Sequence, residues 1–136
     1  MYFEITKSIL PFSVRVRLGG GNSANEGYIE ALGSNGQWGG VCDDHFDKKD
    51  ADVVCRMLGY PSAEEFFNPA TGSHNFGKNP SQSSFVLDDL QCTGSEKSIF
   101  DCPNKGGEWE ENCSAIEIAG VRCANKTKDI GKLSYK

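Results

Sequence analysis

Residues 38–44 read WGGVCDD, Trp38-Gly39-Gly40-Val41-Cys42-Asp43-Asp44. A strand-like run ends there on a cysteine followed by two adjacent carboxylates. Aspartate is a poor strand residue, and like charges side by side repel. The stretch therefore calls for a turn, a helix start or a cation.

Reading outward places it in a small α+β pattern. Upstream, YIEAL (28–32) is a strand, and Asn35-Gly36 supplies the hairpin turn into Gln37–Cys42. Before that, VRVRL (14–18) alternates, with Val14, Val16 and Leu18 on one face and Arg15 and Arg17 on the other. The loop GGGNSANEG (19–27) separates the two. Downstream, 47–58 reads as the one good helix: Asp47 can cap it, and Ala51, Val54, Cys55 and Leu58 recur along one face. Gly59 and Pro61 end it. Residues 61–82 read as a long irregular excursion, and Ser84–Leu87 as a short strand. Thr93-Gly94-Ser95-Glu96 fits a capping box that opens a turn through Phe100, and Ala119–Cys123 reads as a last strand.

A chain of 136 residues has room for one domain. Its 38% hydrophobic share is low for a self-sufficient core, so other ties are needed. A formal charge of −5 argues against a nucleic-acid partner, and no apolar run approaches the length of a membrane span. Cysteines stand at 42, 55, 92, 102, 113 and 123, with no C-x-x-C spacing. An even count in a Gly-rich, loop-rich chain points to disulfides and an oxidising compartment, with the pairing left open. Asn125-Lys126-Thr127 is a glycosylation sequon that agrees with secretion, whereas Asn112-Cys113-Ser114 is a poor acceptor if Cys113 is oxidised. Residues 1–13 carry Glu4 and Lys7 inside their apolar part and do not read as a signal peptide; they are expected to be an extension or linker from a parent protein. Residues 125–136 read as a polar tail.

The runs GQWGGVCDD (36–44), DADVVCRMLGY (50–60), LDDLQCTGSEKSIFDCP (87–103) and AGVRC (119–123) together resemble a scavenger receptor cysteine-rich (SRCR) domain, covering about 14–124. Tyr60 stands where the eight-cysteine form has a cysteine, and the 19–27 loop lacks its partner, so the resemblance is to the six-cysteine, group A-like form. It implies a curved antiparallel sheet cradling one helix and the pairs Cys42–Cys113, Cys55–Cys123 and Cys92–Cys102. The first two close long loops, each contributing roughly 3–4 kcal/mol by restricting the unfolded chain.

The resemblance also offers an answer to the two aspartates. In calcium-binding members the acids after that cysteine are ligands with a later Glu; here these are Asp43, Asp44 and Glu117, with Asn112 as a further oxygen donor. Calcium takes six to eight oxygen ligands in irregular geometry, so the chemistry is sound. Ile118 replaces an acid often found beside that Glu. The competing reading is an Asx turn before the helix. Asp88 and Asp89 read as turn formers, and His45 and His74 as solvated. Trp38 matches a core position, while Trp109, in a loop between cysteines, reads as either a binding anchor or a packing residue. Arg15 and Arg17 offer charge for a polyanion; Lys48, Lys49 and Arg56 lie on another element. Tyr28 departs from an arginine in the family's bacterial-recognition stretch.

The expected function is an extracellular binding module, calcium-assisted, for an anionic or protein ligand, and a monomeric part of a larger secreted or membrane protein. The alternative is an accessory domain of a secreted serine protease or lysyl-oxidase-like enzyme; the chain itself carries no G-D-S-G-G motif and no His cluster, so it is not expected to be an enzyme.

Overall fold

The computed structural model describes residues 14–68, 84–109 and 113–125. The elements run β1 (Val16–Gly20), β2 (Glu26–Leu32), β3 (Trp38–Val41), α1 (Lys48–Met57), β4 (Ala63–Phe67), β5 (Phe85–Leu87) and β6 (Gly120–Cys123), with 3₁₀ turns at Ile99–Asp101 and Ala115–Glu117. Residues 1–13 and 126–136 lie outside the described residues, as do His74 and Asn112.

Strand β2 organises the sheet. Along one edge it pairs with β1, from Val16 opposite Ala31 to Gly20 opposite Gly27. Its other edge forks: Glu30–Leu32 pair with β3, and Glu26–Tyr28 pair with β6. The order is then β4-β6-β2-β3-β5. Ala119 sits at the fork, accepting from Ile29 N–H and donating to Val41 C=O at 2.9 and 2.8 Å. Four of the five strand pairings among the described residues are antiparallel, as expected of a curved antiparallel sheet; the fifth is parallel, β5 beside β3, so the sheet is mixed. The curl wraps α1, whose buried side includes Ala51, Val53, Val54 and Cys55.

Helix α1 begins where the sequence places it. Asp47 accepts from Lys49 and Asp50 N–H, and Asp50 reaches back to Asp47 N–H at 2.9 Å, a reciprocal cap. Gly59 follows the helix with φ +95°, a conformation glycine adopts without strain. Asp50 also accepts from Cys92 N–H at 2.8 Å and is 1% exposed. Burial pushes its carboxyl up to about 7, against the pull of those two N–H donors.

Local readings also shift: the first strand, expected over 14–18, runs from Val16 to Gly20. Residues 63–67 form an edge strand, not part of an irregular excursion. The turn expected over 93–100 is displaced: Glu96 accepts from Thr93 N–H, but the 3₁₀ turn starts after Ser98, which caps it through Phe100 N–H at 3.0 Å.

The three disulfides are Cys42–Cys113, Cys55–Cys123 and Cys92–Cys102, the pairs the resemblance implies. Cys55–Cys123 and Cys92–Cys102 lie in the main core with Ile29, Val54, Leu87 and Val121. Cys42–Cys113 belongs to a smaller cluster with Tyr28, Phe85 and Ile118.

Candidate functional site

The fork in the sheet determines what meets at its mouth. As β3 ends, Cys42 pairs across an isolated bridge with Ile118, and Asp43 N–H donates to Glu117 C=O at 2.8 Å. The run-in to β6 is thereby clamped to the run-out of β3, and the Cys42–Cys113 disulfide ties the same two segments again. Asp43, Asp44 and Glu117 each present a carboxylate oxygen, and the three lie within 4.8 Å of one another. Asp43 is 3% exposed, Asp44 is open to solvent and Glu117 is half-buried.

The local backbone is well braced. Phe46 N–H closes the Asp43–Phe46 turn at 3.1 Å, and Asn68 Nδ2 donates to Asp43 C=O at 3.0 Å and Phe46 C=O at 3.3 Å. Glu117 Oε1 accepts from Ser114 N–H at 2.7 Å, which orients the carboxylate. Oxygens bound to one calcium at about 2.3–2.6 Å stand at most about 5 Å apart. The spacing of the three carboxylates meets that condition, so the donor set fits calcium.

Asp88, 2% exposed, also has an oxygen within 4.8 Å of Asp44 and of the Cys42–Cys113 sulfurs. The sequence reading did not join Asp88 to the acidic group. What brings it there is the parallel β3–β5 pairing, held by Cys42 N–H to Leu87 C=O at 2.9 Å. The same juxtaposition pairs His45 with Asp89 through Nδ1 and Oδ1. Both residues have left-handed backbones, φ +61° and +57°. The hydrogen bond to Asp89, and then its charge, raise the His45 pKa above its ordinary value. His45 was expected to be merely solvated; it is exposed yet ion-paired.

The other candidates have definite places. Arg17 donates to Glu30 Oε1 at 2.7 Å and stacks on Trp38 at 4.0 Å, so Trp38 is half-buried under a guanidinium. Arg15 donates to Leu32 C=O at 3.1 Å, lies 3.5 Å from Glu108 and stacks on Phe100 at 3.7 Å. Trp109 packs against the main core, half-buried. Its ring fills the space over Gly33 and Gly39, where a Cβ would come within 2.9 and 2.8 Å of it. That is the packing alternative, not an exposed anchor. Asn125 is exposed at the end of β6.

Three disulfides, a curled mixed sheet and one clasped helix define a small cysteine-rich module. The family model for the scavenger receptor cysteine-rich domain matches residues 19–124, and the chain belongs to that family. A scavenger receptor cysteine-rich domain superfamily protein of Patiria pectinifera is 43% identical over 122 residues, 89% of this chain and 10% of that protein. Human lysyl oxidase homolog 2 is 46% identical over 118 residues, 86% of this chain and 14% of its own length. The chain thus spans a small part of the curated relatives it matches. The crystal structure of the third SRCR domain of murine neurotrypsin superposes with a TM-score of 0.66 at 38% identity, covering 79% of this chain and 94% of that one. Domains of this family are non-catalytic binding modules found in extracellular regions of secreted or membrane proteins. Among the described residues, no helix is long and apolar enough to cross a membrane.

Proposed function

We propose that this domain is an extracellular ligand-binding module in which Asp43, Asp44 and Glu117 hold a calcium ion that takes part in recognition. The observation that carries the reading is the convergence of those three carboxylates at the fork of the sheet, within 4.8 Å of one another. Bound calcium supplies a positive centre for an anionic group of the ligand and removes the repulsion among the acids. The protein's part is to fix the oxygens. The Asp43–Glu117 backbone bond, the Asn68 brace and the Ser114 bond to Glu117 hold them before any ligand arrives, which limits the entropy lost on binding. Asn112 is a further donor in this reading and lies outside the described residues. Arg15 and Arg17 offer further charge for an anionic ligand in this reading, although each already has partners in the fold. Asn125, exposed and heading a sequon, would carry a glycan in a secreted parent.

A second reading, as an accessory domain of a larger secreted enzyme, is favoured by the 46% identity to lysyl oxidase homolog 2. The domain's own role there is still binding or positioning.

Calcium titration of the oxidised chain by amide NMR, beside an Asp44→Ala/Glu117→Ala variant, tests the site. Saturable shifts at residues 42–46 and 113–118 in wild type, absent from the folded variant, are expected. No response up to several millimolar, the weak limit for extracellular modules, would return the aspartates to turn formation.

A further inference from the structure

A groove of about 570 Å³ opens where the chain enters β1, beside the end of α1 and the Ile99–Asp101 turn. Its apolar lining is Val14, Met57 and Phe100. Three cations line it: Arg15, Arg56 and Lys97, against one lining carboxylate, Asp101. Arg15 and Arg56 stand 41 residues apart in the chain, and the fold brings both to the lining of this groove. On a chain of net charge −5 the groove keeps an excess of positive charge even with Glu108 set against Arg15.

We propose that this groove is a second docking site, which takes an extended acidic peptide segment of a partner protein with an apolar side chain at its centre. The two arginines are set in advance. Arg15 is held by Leu32 C=O, Glu108 and the Phe100 ring, and Arg56 Nη2 by the carbonyls of Gly94 and Glu96. Lys97 is exposed and has no ion-pair partner among the described residues. Fixed guanidiniums lose little entropy on engaging carboxylates, and a volume of this size suits a bound side chain. The apolar part of the lining decides between ligand classes. A sulfated glycan would satisfy the cations but leave the apolar surface in contact with polar groups. One face of Phe100 is already covered by Arg15, so it offers less of a stacking platform for a sugar. An apolar anchor flanked by acids uses both halves of the lining.

None of the lining residues belongs to the Asp43, Asp44, Glu117 group, so the two sites fail or survive separately. The test is an amide NMR titration of the ¹⁵N-labelled full chain in EDTA with the probe acetyl-EEFLEE-amide. Controls are acetyl-EESSEE-amide, acetyl-KKFLKK-amide and a fully sulfated heparin disaccharide. Expected are saturable shifts at Val14, Arg15, Met57 and 97–101, with both control peptides weaker. Lys97→Glu should weaken the probe roughly five- to tenfold, since it replaces an attraction by a repulsion. Val14→Asp should weaken it as well, and Lys105→Glu, exposed outside the groove, should not. All three positions are exposed, so the same spectra verify the fold. The proposal is overturned if the probe causes no shifts or shifts elsewhere. It also fails if either control peptide binds equally, if Lys97→Glu binds as wild type, or if the disaccharide alone produces the groove shifts.

Discussion

The two long-range disulfides close loops of nearly the same size, 71 and 68 residues, yet sit in unlike surroundings. Cys55–Cys123 joins the helix to the central part of the sheet, inside the main core. Cys42–Cys113 lies in a small satellite cluster whose outer side is the acidic group. Chain entropy assigns the two bonds almost equal contributions. Any measured difference therefore reports packing. One bond holds the fold together, and the other holds the mouth of the sheet where binding is proposed.

The largest effect is expected from Cys55→Ala/Cys123→Ala, at about 4 kcal/mol from loop entropy with loss of core packing added. Cys42→Ala/Cys113→Ala should cost about the entropic part only, while abolishing the calcium response. Denaturant unfolding of both variants measures the gap; equal losses with the calcium response intact would erase the distinction. Next in size, 10 mM calcium should stabilise wild type by roughly 1.4–2.7 kcal/mol for a dissociation constant of about 10⁻³–10⁻⁴ M. Thermal unfolding with and without Asp44→Ala/Glu117→Ala checks this, and the variant should not respond.

A third prediction concerns Asp50, which links helix and disulfide loop in the main core. Its folded pKa of about 7 lies above the ordinary 3.8, so the folded state holds the proton more tightly. Its contribution is then full below about pH 4 and is lost as pH rises towards 7. Asp50→Asn should flatten the stability profile across that window, by an amount on the order of 2 kcal/mol. A profile unchanged by the substitution would remove Asp50 from the account. The smallest effect belongs to the exposed His45–Asp89 pair at the mouth. Because its pKa is raised, any stabilisation is present below the ordinary value of 6.5 and disappears as pH climbs through the folded one. His45→Ala should therefore differ from wild type in slightly acid solution and converge with it in alkaline solution, as urea midpoints would show.

Elements with strong local signals were legible in the sequence. Helix α1 follows from its period and its cap, and the β2–β3 hairpin from Asn35-Gly36. Strand β4 was not, because AEEFF does not alternate; its register shifts between Ala63 and Glu65, and such an irregularity breaks the period of two. The pairings followed once the family resemblance was in hand, since cysteine positions alone leave them open. The acidic group was half legible. Asp43, Asp44 and Glu117 came from matching motifs, but Asp88 reaches them through a parallel pairing of two short strands, which has no local signature. The groove was hidden because Arg15, Arg56 and Lys97 come from three separate stretches of the chain.

Strand β6, the last of the sheet in sequence, is not at its edge but between β4 and β2. During synthesis the domain therefore waits for its final residues. Until Gly120–Cys123 emerge, β4 has no neighbour on that side, the fork of β2 is half empty, and Cys55 lacks its partner. Cys92–Cys102, ten residues apart, can close earlier. Such a domain folds as a unit only once its last strand has emerged, with thiols and unpaired strands open to the surroundings until then. A domain cut short before Cys123 would thus present unpaired thiols and strand edges to its surroundings, not a nearly complete fold.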